Sequence, residues 1–140
     1  MEYGSEVWRR FDAPLRAGEI EPEAAGVVSG EGDDRALNVW VRFQLEVADG
    51  VIRRARFRAF GCPHTVAAAD WLAEWLEGRP VRALAELDVR RAAAALEVPA
   101  EKLGKLLRME DALDACRRAL EARDGDRLES QDGDRRWPCH

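Results

Sequence analysis

The sequence lacks the short motifs by which many phosphate-binding and hydrolytic proteins are identified. It contains no GxGxxG or GxxxxGK[ST] phosphate loop, no GxSxG nucleophile elbow and no HExxH zinc helix. Histidine is scarce, with two residues in 140. Because a base, a nucleophile and an electrophile cannot be grouped from the residues that remain, the sequence does not indicate an enzyme.

Cysteine and long apolar runs are also few. The three cysteines, Cys62, Cys116 and Cys139, form no CxxC pair, which argues against a disulfide framework or a zinc ribbon. No window approaches the ~20 apolar residues of a membrane span, and no signal-peptide core follows the first residues, so we expect a cytoplasmic protein without membrane contact. The net charge of −5 argues against a nucleic-acid partner.

A strict alternation predicts the sheet. From Leu37 to Val47 every second residue is aliphatic or Phe, and the residues between them are polar apart from Trp40, which indicates a half-buried strand. Asp49-Gly50 then favours a tight hairpin into a second strand from Val51 to Phe60. On this strand we expect one face in the core (Val51, Ala55, Phe57, Ala59) and an arginine ladder on the other (Arg54, Arg56, Arg58). The ladder could dock an acidic partner, but a solvated face is the simpler interpretation.

The flanking segments are helical or turn-like. Val7, Trp8 and Phe11 predict a short amphipathic helix between an N-cap at Ser5 and Pro14. The run AAGVVSG predicts a brief strand, and EGDDR a turn. From Pro63 a helical stripe (Ala68, Trp71, Leu72, Trp75, Leu76) runs to stop signals at Gly78 and Pro80. Two short helices follow, with Asp88 capping the second.

The last helix is predicted to start near Ala100 and to carry an apolar stripe (Leu106, Met109, Leu113, Cys116, Leu120). We therefore expect Cys116 to be a buried structural residue. Segregated strands and helices predict an α+β fold, in which a three-stranded antiparallel meander packs against a run of helices and one N-terminal helix. We expect one domain over 1–122 and a polar, disordered tail over 123–140, which holds Cys139 and His140.

The chemical interest lies in the sequence GCPH at 61–64. Gly61 permits a sharp exit from the strand, and Pro63 suits a first helical turn, so Cys62 falls near the N-cap. Free amides and the helix dipole at that position favour a thiolate, which binds metal or attacks sulfur, and His64 is near enough to be a second ligand. The residues alone leave this interpretation and that of a small corner cysteine equally open.

Several blocks of the chain resemble the iron-sulfur cluster scaffold family typified by IscU and the N-terminal domain of NifU. They are YGSEVWRRFDAPLRAG, DGVIRRARFRAFGC, WLAEWLEGRPV and MEDALDA, and the likeness covers roughly residues 3 to 122. The resemblance implies the family's fold, and Cys62 corresponds to the second of the family's three cluster cysteines. At the places of its His-Cys pair stand Gly104 and Lys105, and no cysteine precedes the long strand, where Asp33 and Asp34 lie. The resemblance thus implies a diverged member lacking most cluster ligands.

Two functions follow as expectations from the resemblance. One is a scaffold-like protein of iron-sulfur assembly that handles iron, a transient [2Fe–2S] cluster or a persulfide through Cys62, with Cys62 and His64 as metal ligands and zinc as a possible substitute. The other is a non-catalytic accessory protein that binds assembly partners without holding any cofactor. The resemblance implies a cysteine desulfurase and a cluster-transfer chaperone as partners. Since a [2Fe–2S] cluster takes four protein ligands, a homodimer or the tail residues Cys139 and His140 would have to supply the rest.

Overall fold

The computed structural model describes residues 3–21 and 24–134, with side chains as far as residue 123. Its elements in chain order are α1 (Ser5–Asp12), β1 (Val27–Asp34), β2 (Val39–Ala48), β3 (Val51–Phe60), α2 (Pro63–Leu76), α3 (Ala83–Glu86), α4 (Val89–Ala95), a 3-10 turn (Ala100–Lys102) and α5 (Leu103–Asp134). The predicted α+β order of one helix, three strands and a run of helices is confirmed.

The three strands form an antiparallel sheet in the order β1-β2-β3. The hairpin between β2 and β3 turns at Asp49 and Gly50, which have φ values of 55° and 74°, as that residue pair predicts. Strand β2 begins two residues later than expected. It begins at Val39, and Leu37 lies in the preceding turn, where the Leu37 amide donates to Asp34 Oδ1 at 3.2 Å.

A register shift between β2 and β3 changes which residues of β3 enter the core. The shift lies between Glu46 and Val47. A bulge of this kind breaks the strict alternation of sides. Ile52 is fully buried as a result and Val51 is half-buried, so the expected place of Val51 in the core is wrong. Ala59 is half-buried but packs against the core, on the face predicted for it.

The first strand is longer than its sequence indicates. Residues 31–34, predicted as a turn, continue β1 and pair with β2. The reason is the packing of α5 across β1. A Cβ atom at Gly30 would overlap the carbonyl oxygen of Ala112, and one at Gly32 that of Arg108. These glycines let a helix backbone approach the strand closely, so they serve packing and not chain reversal.

Helix α1 does not bury the stripe that its spacing predicts. Val7 is buried, but Trp8 is 47% exposed and Phe11 is exposed as well. Its N-cap is Gly4, one residue before the expected Ser5. In place of the aromatics, the helix buries Arg10, whose Nη1 donates to Asp70 Oδ2 of α2 at 2.7 Å. An ion pair, which no apolar period reveals, therefore decides which side of α1 faces inward.

The later helices follow the predicted patterns. Ala68, Leu72 and Leu76 of α2 are buried, whereas its two tryptophans are half-buried. Asp88 caps α4 by accepting a hydrogen bond from the Arg90 amide at 2.9 Å. Helix α5 continues to Asp134, past residue 122, where the polar tail was expected to begin. The boundary between domain and tail stays a prediction, and residues 135–140 lie outside the described part of the chain.

The arginine ladder on β3 is matched by carboxylates of the same chain. Arg54 pairs with Glu46 at 2.8 Å, Arg56 with Glu77 at 2.7 Å, and Arg58 with Glu19 at 3.1 Å. This pairing favours the solvated face over a surface for an acidic partner. Within the described ranges, no helix is both long enough and apolar enough to cross a membrane.

Candidate functional site around Cys62

Three segments meet at one end of the sheet. Because β1 and β3 both run antiparallel to β2, the end of β1, the start of β2 and the end of β3 lie together, with Asp33 paired to Trp40 and Trp40 to Phe60. The start of α5 reaches the same end. A Cβ atom at Gly104 would lie 3.7 Å from Leu37 Cδ1 in the turn between β1 and β2. The junction of β3 with α2, which holds Cys62, thus shares its surroundings with residues distant in sequence.

Cys62 occupies the N-cap position of α2, as the sequence predicted, with Pro63 in the first turn. The side chain is half-buried, and its Sγ lies 3.6 Å from Thr65 Oγ1. Gly61 is required at this corner, because a Cβ there would press within 2.9 to 3.1 Å of three side-chain atoms of Thr65. The corner therefore holds the thiol against the first turn of the helix while leaving it reachable from solvent.

The surroundings of Cys62 favour its thiolate. Burial opposes ionisation, but the Thr65 hydroxyl, the amides of Thr65 and His64, and the charge of Lys105 outweigh it, so the pKa of the thiol is lowered. A hydroxyl and two amides at a helix N-terminus stabilise negative charge, as does a nearby ammonium. At neutral pH a larger fraction of Cys62 is therefore thiolate than in an ordinary cysteine.

His64 is a buried residue and not a surface side chain. It is 2% exposed, and its ring meets the Tyr3 ring edge-on with centroids 4.6 Å apart. Burial, with the charges of Lys102 and Lys105, lowers its pKa, which favours the neutral imidazole. Its Nδ1 atom has no hydrogen-bond partner among the described residues. The expected metal ligand is thus neutral but enclosed under Tyr3.

The two lysines of the chain, Lys102 and Lys105, both lie at this end of the fold. Each is half-buried, and neither forms an ion pair with a carboxylate among residues 3–21 and 24–123. Lys105 acts on both Cys62 and His64, whereas Lys102 acts on His64. Lys105 stands at one of the two places where the scaffold resemblance implies a ligand, and Gly104 stands at the other.

The donor set does not fit a cluster held by one chain. In the part of the chain that the structure describes, no group of three or more His, Cys, Asp or Glu side chains could hold a metal ion. Asp34 is engaged with the Leu37 amide. Cys116 is buried in the core, where its Sγ donates to the Phe43 carbonyl oxygen at 3.6 Å and burial raises the pKa of the thiol to about 12. Cys139 and His140 lie outside the described residues.

Sequence reasoning identified Cys62 and His64 but missed the residues that tune them. Thr65, at the third helical position, is a usual partner for an N-cap side chain, and that spacing could have revealed it. Tyr3 has no local signal, because it reaches His64 only through the packing of α1 on α2. The scarcity of lysine was the available clue to Lys102 and Lys105.

Exposed apolar side chains border the site. Phe60, two residues before Cys62, is 59% exposed, and Leu37 in the adjoining turn is exposed too. On the other side, Tyr3 contacts Trp8, with ring centroids 5.4 Å apart. Aromatic residues of this kind are common where proteins bind one another.

Comparison with known proteins gives one consistent result. Residues 2–126 match the model of the family described as NifU-like N terminal domain. The chain is 29% identical over 117 residues to the iron-sulfur cluster assembly scaffold protein IscU of Rickettsia prowazekii, covering 83% of this chain and 89% of that protein. It is 35% identical over 138 residues to the bifunctional protein NifU/MnmA of Rubrobacter xylanophilus, covering 94% of this chain and 27% of that longer protein.

A solved structure confirms the fold. The N-terminal NifU-like protein from Brucella abortus superposes with a TM-score of 0.67 at 16% identity, over 85% of this chain and 94% of that one. At that identity the likeness concerns the fold alone.

Proposed function

The chain belongs to the family of NifU-like N-terminal domains, and from this premise we propose that it serves iron-sulfur cluster assembly as an acceptor of sulfur at Cys62. The proposal rests on the accessibility, the position and the pKa of the Cys62 thiol. Cys62 is reachable, stands at a helix N-terminus, and has a lowered pKa. Sulfur acceptance needs one thiolate, whereas a cluster needs a ligand set.

The proposed step is a transfer of sulfane sulfur from a persulfide on a donor protein. The Cys62 thiolate attacks the outer sulfur of the donor persulfide, and a new S–S bond forms on Cys62. The S–S bond of the donor persulfide breaks, and the cysteine sulfur of the donor leaves as a thiolate that takes up a proton. No electrons are gained or lost overall, so the step requires no oxidant. A cysteine desulfurase, the partner that the family resemblance implies, carries a persulfide of this class.

Iron and the cluster enter this proposal as cargo that the single chain does not hold alone. Cys62 and His64 supply at most two donors, and His64 is buried. A second copy of the chain or a partner protein would have to complete a [2Fe–2S] or zinc site. The cluster-transfer chaperone and a cytoplasmic location remain part of the proposal on the family resemblance alone.

The lack of a metal-binding group among the described residues also favours a second candidate function. An accessory protein that keeps the scaffold fold, in order to bind assembly partners without chemistry of its own, would need no cluster ligands. The exposed side chains beside the site, Phe60 and Leu37, suit such binding. In neither function does the chain act as an enzyme.

A labelling experiment distinguishes the two candidates. Untagged protein is incubated with a cysteine desulfurase and sulfur-labelled cysteine, and the labelled sulfur on the chain is measured by intact mass and peptide mapping. We expect one added sulfur on Cys62, none in Cys62→Ala, and normal labelling in Cys139→Ala. Absence of labelled sulfur from the unmodified chain would contradict the proposal that Cys62 accepts sulfur.

A binding measurement on the same variants addresses the accessory protein. If Cys62→Ala binds the desulfurase as tightly as the unmodified chain and supports growth equally well, the accessory function is the correct one. Reconstitution with iron and sulfide, followed by visible absorption spectroscopy, tests whether the chain itself holds a cluster. We expect no cysteine-dependent chromophore in the isolated monomer.

A further inference from the structure

We propose that Lys105, assisted by Lys102, makes the Cys62 site selective for anionic sulfur species and against ferrous iron. The inference rests on the proposed function, because it concerns which form of cargo the same cysteine can keep. It assigns Lys105 as a specificity-determining residue that occupies a place where the family resemblance implies a metal ligand.

The first argument is the distribution of positive charge. Twenty of the 22 basic residues are arginines, and the ladder arginines on β3 are neutralised by Glu46, Glu77 and Glu19. Lys102 and Lys105 stand in contrast, half-buried and without an ion-pair partner among the described side chains. Because no described carboxylate pairs with these two ammonium groups, their positive charge attracts anions and repels cations at the site.

The second argument is the direction of the helices. The start of α2 lies at Cys62, and the start of α5, with its preceding 3-10 turn, reaches the same end of the sheet beside Leu37. Helix N-termini favour anions through their dipoles and unpaired amides. The start of α2 and the Lys105 ammonium group therefore act with the same sign on the Cys62 thiol, while Lys102 acts on the neighbouring His64.

The third argument is an unsatisfied polar atom. His64 is buried, and its Nδ1 has no hydrogen-bond partner among the described residues, although a buried polar atom usually has one. His64 follows Cys62 by two residues, in the first turn of α2. Its unpartnered nitrogen has an open lone pair or an N–H to offer, depending on the tautomer. An N–H there would be a donor for a persulfide formed on Cys62.

The chemistry of the cargo explains the selectivity. A persulfide is more acidic than a thiol and is anionic at neutral pH, so an ammonium group beside Cys62 stabilises Cys62–S–S⁻ and the anionic transition state of sulfur transfer. The same ammonium repels Fe²⁺, and no described carboxylate cluster offsets that repulsion. A lysine in place of a metal ligand therefore favours anionic sulfur at the site and disfavours Fe²⁺.

The decisive experiment compares two disulfide reagents of different charge. In a Cys139→Ser background, the rate constants of Cys62 with a dianionic bis-carboxylate aryl disulfide and with a neutral dipyridyl disulfide are measured, and their ratio is taken. The ratio cancels changes in the nucleophilicity and accessibility of Cys62. We expect Lys105→Gln to lower it by about threefold or more, Lys105→Glu to lower it further, and Lys105→Arg to preserve it.

Controls separate this effect from a general loss of charge or fold. Arg118→Gln removes a positive charge further along α5, where the arginine pairs with Asp114, and it should leave the ratio unchanged. Salt should reduce the ratio of the unmodified protein toward that of Lys105→Gln. An equal ratio in Lys105→Gln and the parent would overturn the inference, as would tight, Cys62-dependent binding of Fe²⁺ by the parent monomer.

Sulfur transfer from a desulfurase is measured on the same proteins, so that the two proposals fail separately. If the parent accepts no sulfur but the reagent ratio depends on Lys105, the sulfur acceptor is wrong and the anion-selective site stands. If the parent accepts sulfur and Lys105→Gln does so with the same rate, persulfide lifetime and reagent ratio, the acceptor stands and the role of Lys105 is wrong.

Discussion

Arg10 Nη1 donates to Asp70 Oδ2 at 2.7 Å, and this ion pair joins α1 to α2 with both side chains almost completely buried. Both residues of the pair make further polar contacts. Arg10 also contacts Glu6 at 2.7 Å and Glu74 at 3.0 Å, and Asp70 Oδ1 accepts a hydrogen bond from the Arg16 amide at 3.0 Å. Because α1 follows directly from Tyr3, this pair also sets the position of the ring that covers His64.

Removal of the arginine should destabilise the protein strongly. In Arg10→Met the Asp70 carboxylate stays buried without its cation, and we expect the free energy of unfolding to fall by about 3 kcal/mol. The double variant Arg10→Met/Asp70→Asn should recover part of that loss, since no uncompensated charge remains. Urea denaturation measures both, and Arg54→Met, from an exposed pair, should have little effect. Equal stability of Arg10→Met and Arg54→Met would contradict the argument.

The close contact between β1 and α5 predicts a second destabilising change. In Gly32→Ala the new methyl group would overlap the Arg108 carbonyl oxygen, so the helix must move away from the strand. We expect a loss of about 3 kcal/mol in the free energy of unfolding. Gly104→Ala is the matched control, because its Cβ would meet only Leu37 Cδ1, at an ordinary contact distance of 3.7 Å. The two variants should differ clearly in denaturant midpoint, and similar midpoints would show that α5 packs less closely than described.

The hydroxyl of Thr65 should control the reactivity of Cys62. Since the Thr65 hydroxyl is one of the groups that lower the pKa of Cys62, Thr65→Val should move the pH profile of alkylation to higher pH. Thiolate forms as pH rises through the pKa, so the variant reacts more slowly at neutral pH and converges with the parent at high pH. Iodoacetamide rates in a Cys139→Ser background measure this. Cys116, with a pKa of about 12, should react only after unfolding.

Buried His64 predicts a dependence of stability on pH. Its pKa is lowered in the folded protein, so its contribution to stability is complete above the unfolded value near 6.5 and is lost as the pH falls below it. His64→Phe keeps an aromatic ring against Tyr3 but cannot be protonated. Between pH 7 and 5 the parent should lose more stability than this variant in urea titrations. Parallel curves for the two proteins would contradict a buried neutral imidazole.

Much of the fold could be predicted from local sequence patterns, because those patterns reflect the conformational preferences of neighbouring residues. Alternation predicted β2, Asp49-Gly50 predicted the hairpin, and Pro63 after Cys62 predicted the start of α2; each depends on backbone preferences within a few residues. The errors fall where distant segments compete. The sequence predicts a turn at Gly32 because the partner of this glycine, α5, lies some eighty residues later in the chain.

The site divides in the same way. Local preferences alone place Cys62 at a helix N-terminus behind Gly61, because glycine, cysteine and proline in that order suit one corner. The enclosure of His64 by Tyr3 and the effect of Lys105 on Cys62 depend on the tertiary structure, since they join residues about 60 and about 40 positions apart. Charge and burial depend on which segments meet in space, and no local pattern along the chain encodes that.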